Sequence, residues 1–253
     1  MTEIILVTGA SAGFGQAICR LLVDKGYRVI GAARRLEKLQ ELQGELGDCF
    51  YPLKMDVSKT DSIDEALASL PEDWQALTGL VNNAGLALGL EPAHQADFQD
   101  WLTMIETNII GLTYLTKNVL PGMVDRNHGH IINLGSTAGT VPYPGANVYG
   151  ASKAFVKQFS LNLRADLAGT RLRVTNIEPG LCGGTEFSAV RFKGDQERVD
   201  KLYDGAGSIQ PEDIAQSVLW VLQQPAHVNI NRIELMPVSQ TFGPQPIHRD
   251  LWD

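Results

Sequence analysis

Short runs rich in β-branched and aliphatic residues punctuate the chain at Ile4 to Val7, Arg28 to Ala32, Phe50 to Lys54, Leu77 to Val81, His130 to Leu134, Leu172 to Ile177 and Ile230 to Met236. The stretches between them carry a different period. Ala17, Ile18, Leu21 and Leu22 fall on one face of a helix, as do Leu36, Leu39, Leu42 and Leu46, because residues three and four apart are neighbours at 3.6 residues per turn. Strands that alternate with helices pair in parallel and bury both faces of their sheet. The predicted fold class is α/β, doubly wound, with seven strands as the minimal count. Gly26 marks the end of the first helix, and Ser58 followed by Asp61 marks the start of the one running through Ile63 to Leu70. The alternation breaks between Gly183 and Gly207, where glycines and the charges of Arg191, Lys193, Asp195, Glu197 and Arg198 replace an apolar pattern. That segment reads as a mobile lid. No repeat or interdomain linker interrupts the 253 residues, so they read as one domain. The tail from Gln240 to Asp253 is too rich in Pro and Gly to extend the sheet.

A formal net charge of −8 disfavours general binding to nucleic acid or anionic membranes, which requires clustered Lys and Arg. An anionic ligand must therefore meet local positive charge. Cys19, Cys49 and Cys182 are odd in number and far apart, without metal-ligand spacing or a disulfide framework, which fits the reduced cytoplasm and no metal site. Met1 to Val7 enters an apolar run without the basic flank of a signal peptide. No stretch reaches the roughly 18 apolar residues of a membrane span.

The first run leads into Thr8-Gly9-Ala10-Ser11-Ala12-Gly13-Phe14-Gly15 and then a helix, the context in which a glycine loop cradles phosphate. Gly9 allows the sharp turn, Gly13 lets backbone approach a pyrophosphate, and the helix N-terminus offers free N–H groups and a positive dipole end. The second run ends in Arg34-Arg35, where a site selecting NAD carries an acidic residue for the ribose 2′-hydroxyl. Guanidinium there suits a 2′-phosphate, so NADP(H) is the expected cofactor. Asp56-Val57 follows the third run, placed to accept a hydrogen bond from an adenine amino group or to cap the next helix.

Tyr149-Gly150-Ala151-Ser152-Lys153 opens a helix, which puts Tyr149 and Lys153 four apart on one face. A phenol near pKa 10 exchanges protons poorly at neutral pH, and lowering it by two to three units takes about 3 to 4 kcal/mol. A lysine charge about 4 Å away supplies roughly 1 kcal/mol in water and about 4 at an effective dielectric near 20. The site must then be partly dry. Ser136, at the end of the fifth run, is placed to donate to a carbonyl oxygen that gains negative charge.

Together, Thr8 to Gly15, Asn82-Asn83-Ala84-Gly85, Asn108, Ser136, Tyr149, Lys153 and Pro179-Gly180 resemble the short-chain dehydrogenase/reductase family over nearly the whole chain. The resemblance implies a single Rossmann-type domain with a parallel sheet of order 3-2-1-4-5-6-7 and helices on both faces. It implies a tetrad of Asn108, Ser136, Tyr149 and Lys153, and a homotetramer. In that family Tyr exchanges a proton with the substrate oxygen, Lys also holds the nicotinamide ribose, Ser steadies the substrate and Asn positions a relay water. Asn83, Ala84 and Gly85 would lie beside the cofactor. Pro179, Gly180, Leu181, Cys182 and Thr185, within the stretch to Phe187, would cover the nicotinamide. Thr185 follows Pro179-Gly180 after four residues where the family more often has three.

Within the family the chain is similar to the NADP-dependent 3-hydroxy acid dehydrogenases that oxidise serine and related β-hydroxy acids. The similarity rests on Gly85-Leu-Ala-Leu-Gly-Leu-Glu-Pro-Ala-His94, Leu120-Pro-Gly-Met, Asn127-His-Gly-His-Ile-Ile-Asn133, Gly180-Leu-Cys-Gly-Gly-Thr-Glu-Phe187, Val190-Arg-Phe-Lys-Gly194 and Pro225-Ala-His-Val-Asn-Ile-Asn231. Such substrates carry a carboxylate, so an acidic chain needs a cation at the pocket, and Arg191 and Lys193 are the candidates, Arg191 foremost. Reduction of a 3-oxo acid or semialdehyde is the same chemistry reversed. A carbonyl reductase of broader range, a cofactor-sensing regulatory protein of the same fold, and a sugar-nucleotide epimerase or dehydratase are the rival readings. Intact Tyr149 and Lys153 weigh against the regulator, and the short stretch after Pro179-Gly180 weighs against the last.

Overall fold

A computed structural model describes residues 3–242 of the chain. Its strands are β1 (Ile4–Thr8), β2 (Arg28–Ala33), β3 (Phe50–Lys54), β4 (Gly79–Asn82), β5 (His130–Leu134), β6 (Arg173–Pro179) and β7 (Arg232–Leu235). All pair in parallel, in the order β3-β2-β1-β4-β5-β6-β7. The chain winds outward from β1 in one direction and from β4 in the other, so the connections part between these neighbours and leave a crevice at their carboxyl ends.

The helices are α1 (Gly13–Asp24), α2 (Leu36–Leu46), α3 (Thr60–Ala68), α4 (Phe98–Ile105), α5 (Leu112–Asp125), α6 (Asn147–Asp166), α7 (Phe187–Arg191), α8 (Gln196–Tyr203) and α9 (Pro211–Leu222). Side chains alternate along each strand, so β1 feeds two cores. Ile5 and Val7 join Ile18, Leu22, Ile214 and Val218 under α1 and α9. Ile4 and Leu6 join Ile63, Leu115 and Leu163 under α3, α5 and α6. Each such fully buried side chain contributes about 1.5–3 kcal/mol, and the two layers clamp the sheet whose ends carry the crevice.

Gly26 ends the first helix as its position suggests, with φ +84° and its N–H donated to the Val23 carbonyl at 2.9 Å. Ser58 does not cap α3. The N-cap is Lys59, without a side-chain capping bond, because Asp56 Oδ1 takes both the N–H and the hydroxyl of Ser58 into a turn of its own. The lid stretch holds α7 and α8. Asp195 caps α8 by accepting the Arg198 N–H, and α8 buries no residue, which is why it left no apolar period to read. Gln240 to Phe242 lie outside the sheet, and the rest of the Pro- and Gly-rich tail lies outside the described residues. Among the described residues no helix is long and apolar enough to cross a membrane.

Candidate active site

A cleft of about 800 Å³ opens at the carboxyl ends of the strands. Gly9 (φ +68°) and Gly13 (φ +52°) shape its floor. A Cβ on Gly9 would stand 2.8 Å from Asn83 Nδ2, and one on Gly13 would stand 3.0 Å from the Thr185 methyl. Ala12, the N-cap of α1, makes no side-chain capping bond, and the first turn holds no acidic residue. The N–H groups there remain free for an anion. Ser11, Ala12, Gly13 and Phe14 line the cleft with Gly9. Ala10 and Gly15 do not. Ala10 is buried beneath and gives its N–H to the Ala32 carbonyl, and Gly15 packs against the Gly9 carbonyl.

Arg34 is exposed on the rim, and Arg35 beside it is half-buried. Arg35 donates to both oxygens of Glu186 at 2.9 and 3.1 Å, and to Ser11 Oγ at 3.2 and 3.3 Å. Asp56 and Val57 line the same end, with Asp56 also making the turn described above. Asn83, Ala84 and Gly85 line the wall. Thr8 Oγ1 accepts the N–H groups of Asn83 and Ala84, and Asn83 Nδ2 donates to the Thr8 carbonyl. Asn82 points inward to Thr116 and Asn133, so its work is to tie strand to helix. The glycine loop, the two arginines and the open helix end fit a dinucleotide with a 2′-phosphate.

At the other end, α6 presents Tyr149 and Lys153, both largely buried. Ser136 Oγ accepts the Ala138 N–H at 3.1 Å and donates to the Pro179 carbonyl at 3.4 Å. Asn108 lies in a π-helical turn, Glu106–Gly111, inserted between α4 and α5. That wider turn carries Asn108 to the loop after β4, where it donates to the Leu86 carbonyl and Ser152 Oγ and accepts the Leu86 N–H. Gly85 lets the parts meet: a Cβ there would lie 3.2 Å from Asn108 Oδ1 and 3.4 Å from Lys153 Nζ.

The electrostatics depart from the sequence expectation. Lys153 donates to the Leu134 carbonyl at 2.8 Å, with Nζ 5.9 Å from the centre of the Tyr149 ring. Burial pushes its amine down to about 8. Burial also pushes the Tyr149 phenol up to about 12, while a Ser136 hydrogen bond and the Arg191 charge pull it back. Arg191 thus bears on the phenol as a cation, a role the sequence pattern assigned to Lys153.

Arg191 closes α7. Its Nε donates to the Gly89 carbonyl at 3.2 Å and its Nη1 to the Tyr143 hydroxyl at 2.9 Å. The guanidinium lies 5.4 Å from the Tyr143 ring centre and 5.5 Å from that of Tyr149. Its Nη2 is buried without a hydrogen-bond partner among the described residues. Lys193 is elsewhere, paired with Asp100 at 2.9 Å and absent from the cleft lining. Pro179, Gly180, Leu181, Cys182 and Thr185 form the wall facing Tyr149 and the glycine loop. The Leu181 N–H is held by Gln240 Oε1 at 2.7 Å, and Thr185 Oγ1 accepts the Phe187 N–H at 3.3 Å. Tyr143, Glu186 and Gln240 line the cleft too and were not singled out by pattern, since none belongs to a periodic face. No cluster of three or more His, Cys, Asp or Glu suited to a metal occurs among the described residues.

A family model described as short chain dehydrogenase matches residues 3–196. The chain is 60% identical over 246 residues to an NADP-dependent 3-hydroxy acid dehydrogenase of Escherichia coli K12, covering 97% of this chain and 99% of the relative. It is 49% identical over 250 residues to a serine 3-dehydrogenase of Agrobacterium fabrum, covering 99% and 100%. It superposes with a TM-score of 0.96 on the closed form of a serine dehydrogenase complexed with NADP+, at 60% identity over 98% of this chain and 100% of that one.

Proposed function

The chain belongs to the short-chain dehydrogenase family, and from that premise we propose how its residues divide the work of an NADP(H)-dependent oxidoreductase acting on the hydroxyl of 3-hydroxy acids. The cofactor and the reaction class follow from full-length relatives at 49–60% identity that use NADP or act on serine and 3-hydroxy acids. When bound, NADP+ supplies the hydride acceptor and NADPH the donor.

The open N-terminus of α1 and the loop from Gly9 to Gly13 take the pyrophosphate, and Arg34 takes the 2′-phosphate with Arg35. Asp56 and Val57 flank the adenine. Asn83 to Gly85 and Pro179 to Cys182 enclose the nicotinamide end, with Thr185 facing the glycine loop. Tyr149 exchanges the proton with the substrate oxygen, and Ser136 donates to that same oxygen. Lys153 holds the ribose, and Asn108 fixes the loop beside it.

The observation that carries the substrate assignment is the buried Nη2 of Arg191, without a partner among the described residues, on a guanidinium 5.5 Å from the Tyr149 ring centre in the cleft. A buried guanidinium donor left unmade costs about 1–3 kcal/mol or more, and a carboxylate accepts it while placing C3 of a 3-hydroxy acid toward the phenol. The whole chain acts as one catalytic domain, with residues 183–207 as its lid. Free Cys19, Cys49 and Cys182 suit a cytoplasmic enzyme. Exposed Ile110, Val124, Phe155 and Leu161 near α5 and α6 suit burial between subunits of a homotetramer, for which a solution mass of one subunit would be the contrary result.

Initial rates with NADP+ and NAD+ on serine, 3-hydroxybutyrate and the methyl ester of each test the assignment. Faster turnover with NADP+ and a lower KM for acid than for ester are expected. Equal KM values for acid and ester would remove the carboxylate from the reading.

A further inference from the structure

Glu186 has no part in the chemistry above, yet it makes the bidentate ion pair of the lid. It immediately precedes α7, and its carboxylate receives Nη1 and Nη2 of Arg35 at 3.1 and 2.9 Å. Arg35 turns its other donors to Ser11 Oγ in the glycine loop. The neighbouring Thr185 lies against Gly13, so close that a Cβ on that glycine would stand 3.0 Å from its methyl. Thr185 and Glu186 thus cross over the N-terminus of α1, from the wall of the cleft to the far bank at the end of β2.

We propose that Glu186 is a positioning residue for cofactor exchange: its ion pair with Arg35 fastens the lid across the pyrophosphate channel, so that NADP(H) leaves only when this strap opens. The pair spans 151 residues of sequence and joins the two segments that flank the diphosphate. The guanidinium presents five donors. With Glu186 and Ser11 engaging Nε, Nη1 and Nη2, Arg35 serves mainly as the fixed post, and Arg34 on the exposed rim carries most of the 2′-phosphate recognition. The far end of the lid is held separately, by Lys193 to Asp100 and by the Gly89 N–H to the Arg191 carbonyl at 3.1 Å. Loss of Glu186 therefore loosens the cofactor end without releasing the substrate end. The strap carboxylate is 60% exposed, so its removal leaves the core intact.

Two electrostatic effects oppose each other at Glu186, and they separate the strap from a simple charge neighbour. As a strap, Glu186→Gln frees the lid and speeds NADPH release. As a mere anion near the 2′-phosphate, its neutralisation removes a repulsion and slows release. Stopped-flow displacement of NADPH, followed by cofactor fluorescence, reads the sign directly. The expected result is release about 2- to 5-fold faster from Glu186→Gln, the range that an exposed ion pair supports. Added KCl should speed release from both proteins by screening Arg34 against the 2′-phosphate, and more so from the wild type, so that the difference between them shrinks. In the cofactor-free proteins, trypsin should cut after Arg191, Lys193, Arg198 and Lys201, all on the separately held far end, at the same rate in both proteins. Unchanged or slower NADPH release overturns the strap, and faster cleavage at those sites in the variant overturns its confinement to the cofactor end. Neither readout requires turnover, so the outcome is independent of the assignments of Tyr149 and Arg191.

Discussion

Lys153 places a stability cost in the site that can be measured without substrate. It is buried, and that burial alone takes its amine from 10.5 to about 8. At 1.36 kcal/mol per pKa unit, the shift makes the charged lysine about 3 kcal/mol less compatible with the folded state than the neutral one. Between the two values the unfolded chain binds more protons than the native chain, so stability rises with pH. The gain is complete above about 10.5, declines as pH falls, and is gone below about 8. Lys153→Met removes this titration and leaves the Leu134 carbonyl without its donor, a loss of about 1 kcal/mol. In cofactor-free protein, urea unfolding should show the variant more stable than wild type by about 2 kcal/mol at pH 7. Near pH 10.5 it should be less stable by about 1 kcal/mol, since other groups titrate equally in both proteins. A difference that does not change between pH 7 and 10.5 would refute a buried, burial-shifted lysine.

His130 is buried with its Nδ1 unpartnered, and burial pushes its pKa from 6.5 to about 3; wild type should lose up to about 5 kcal/mol as pH falls through that interval, a loss absent from His130→Gln in acid titrations of unfolding. Tyr149→Phe should lower kcat about 10²- to 10⁴-fold with NADPH affinity unchanged by fluorescence titration. Gly9→Ala meets both a positive φ and Asn83 Nδ2, and should cost about 1–3 kcal/mol in urea unfolding while weakening NADPH binding. Arg34→Ala should weaken NADPH at least about 10-fold and leave NADH nearly unchanged in the same titration.

The α/β alternation and the glycine loop were legible because both follow from strong local constraints, whereas the sheet order was implied by the family resemblance. β-branched runs separated by helical faces leave few topologies, and Gly9 with Gly13 had a physical reason at each position. The convergence of Asn108, Ser136, Tyr149 and Lys153 on one cleft was expected from the family resemblance, but the electrostatics among them were not legible. The turn of Lys153 toward Leu134 depends on how α6 packs against the end of β5, and that of Arg191 toward Tyr149 on where the lid lands, neither of which spacing encodes. The π-helical turn at Asn108 was similarly hidden, since one inserted backbone position leaves the apolar period on both sides nearly intact. Lys193 and Arg191 were both lid-cation candidates in the sequence, Arg191 foremost. The structure separates them by seating Asp100 against the first and a pair of tyrosine rings against the second.

The role of Arg191 rests on one donor, Nη2, held ready in a buried place. The direct test is Arg191→Gln assayed on a 3-hydroxy acid and on its methyl ester. Loss of one charge-assisted contact, about 1.5–3 kcal/mol, should raise KM for the acid about 10- to 100-fold and leave the ester within about 2-fold. Equal losses on acid and ester, or no change on the acid, would contradict a guanidinium that reads the carboxylate.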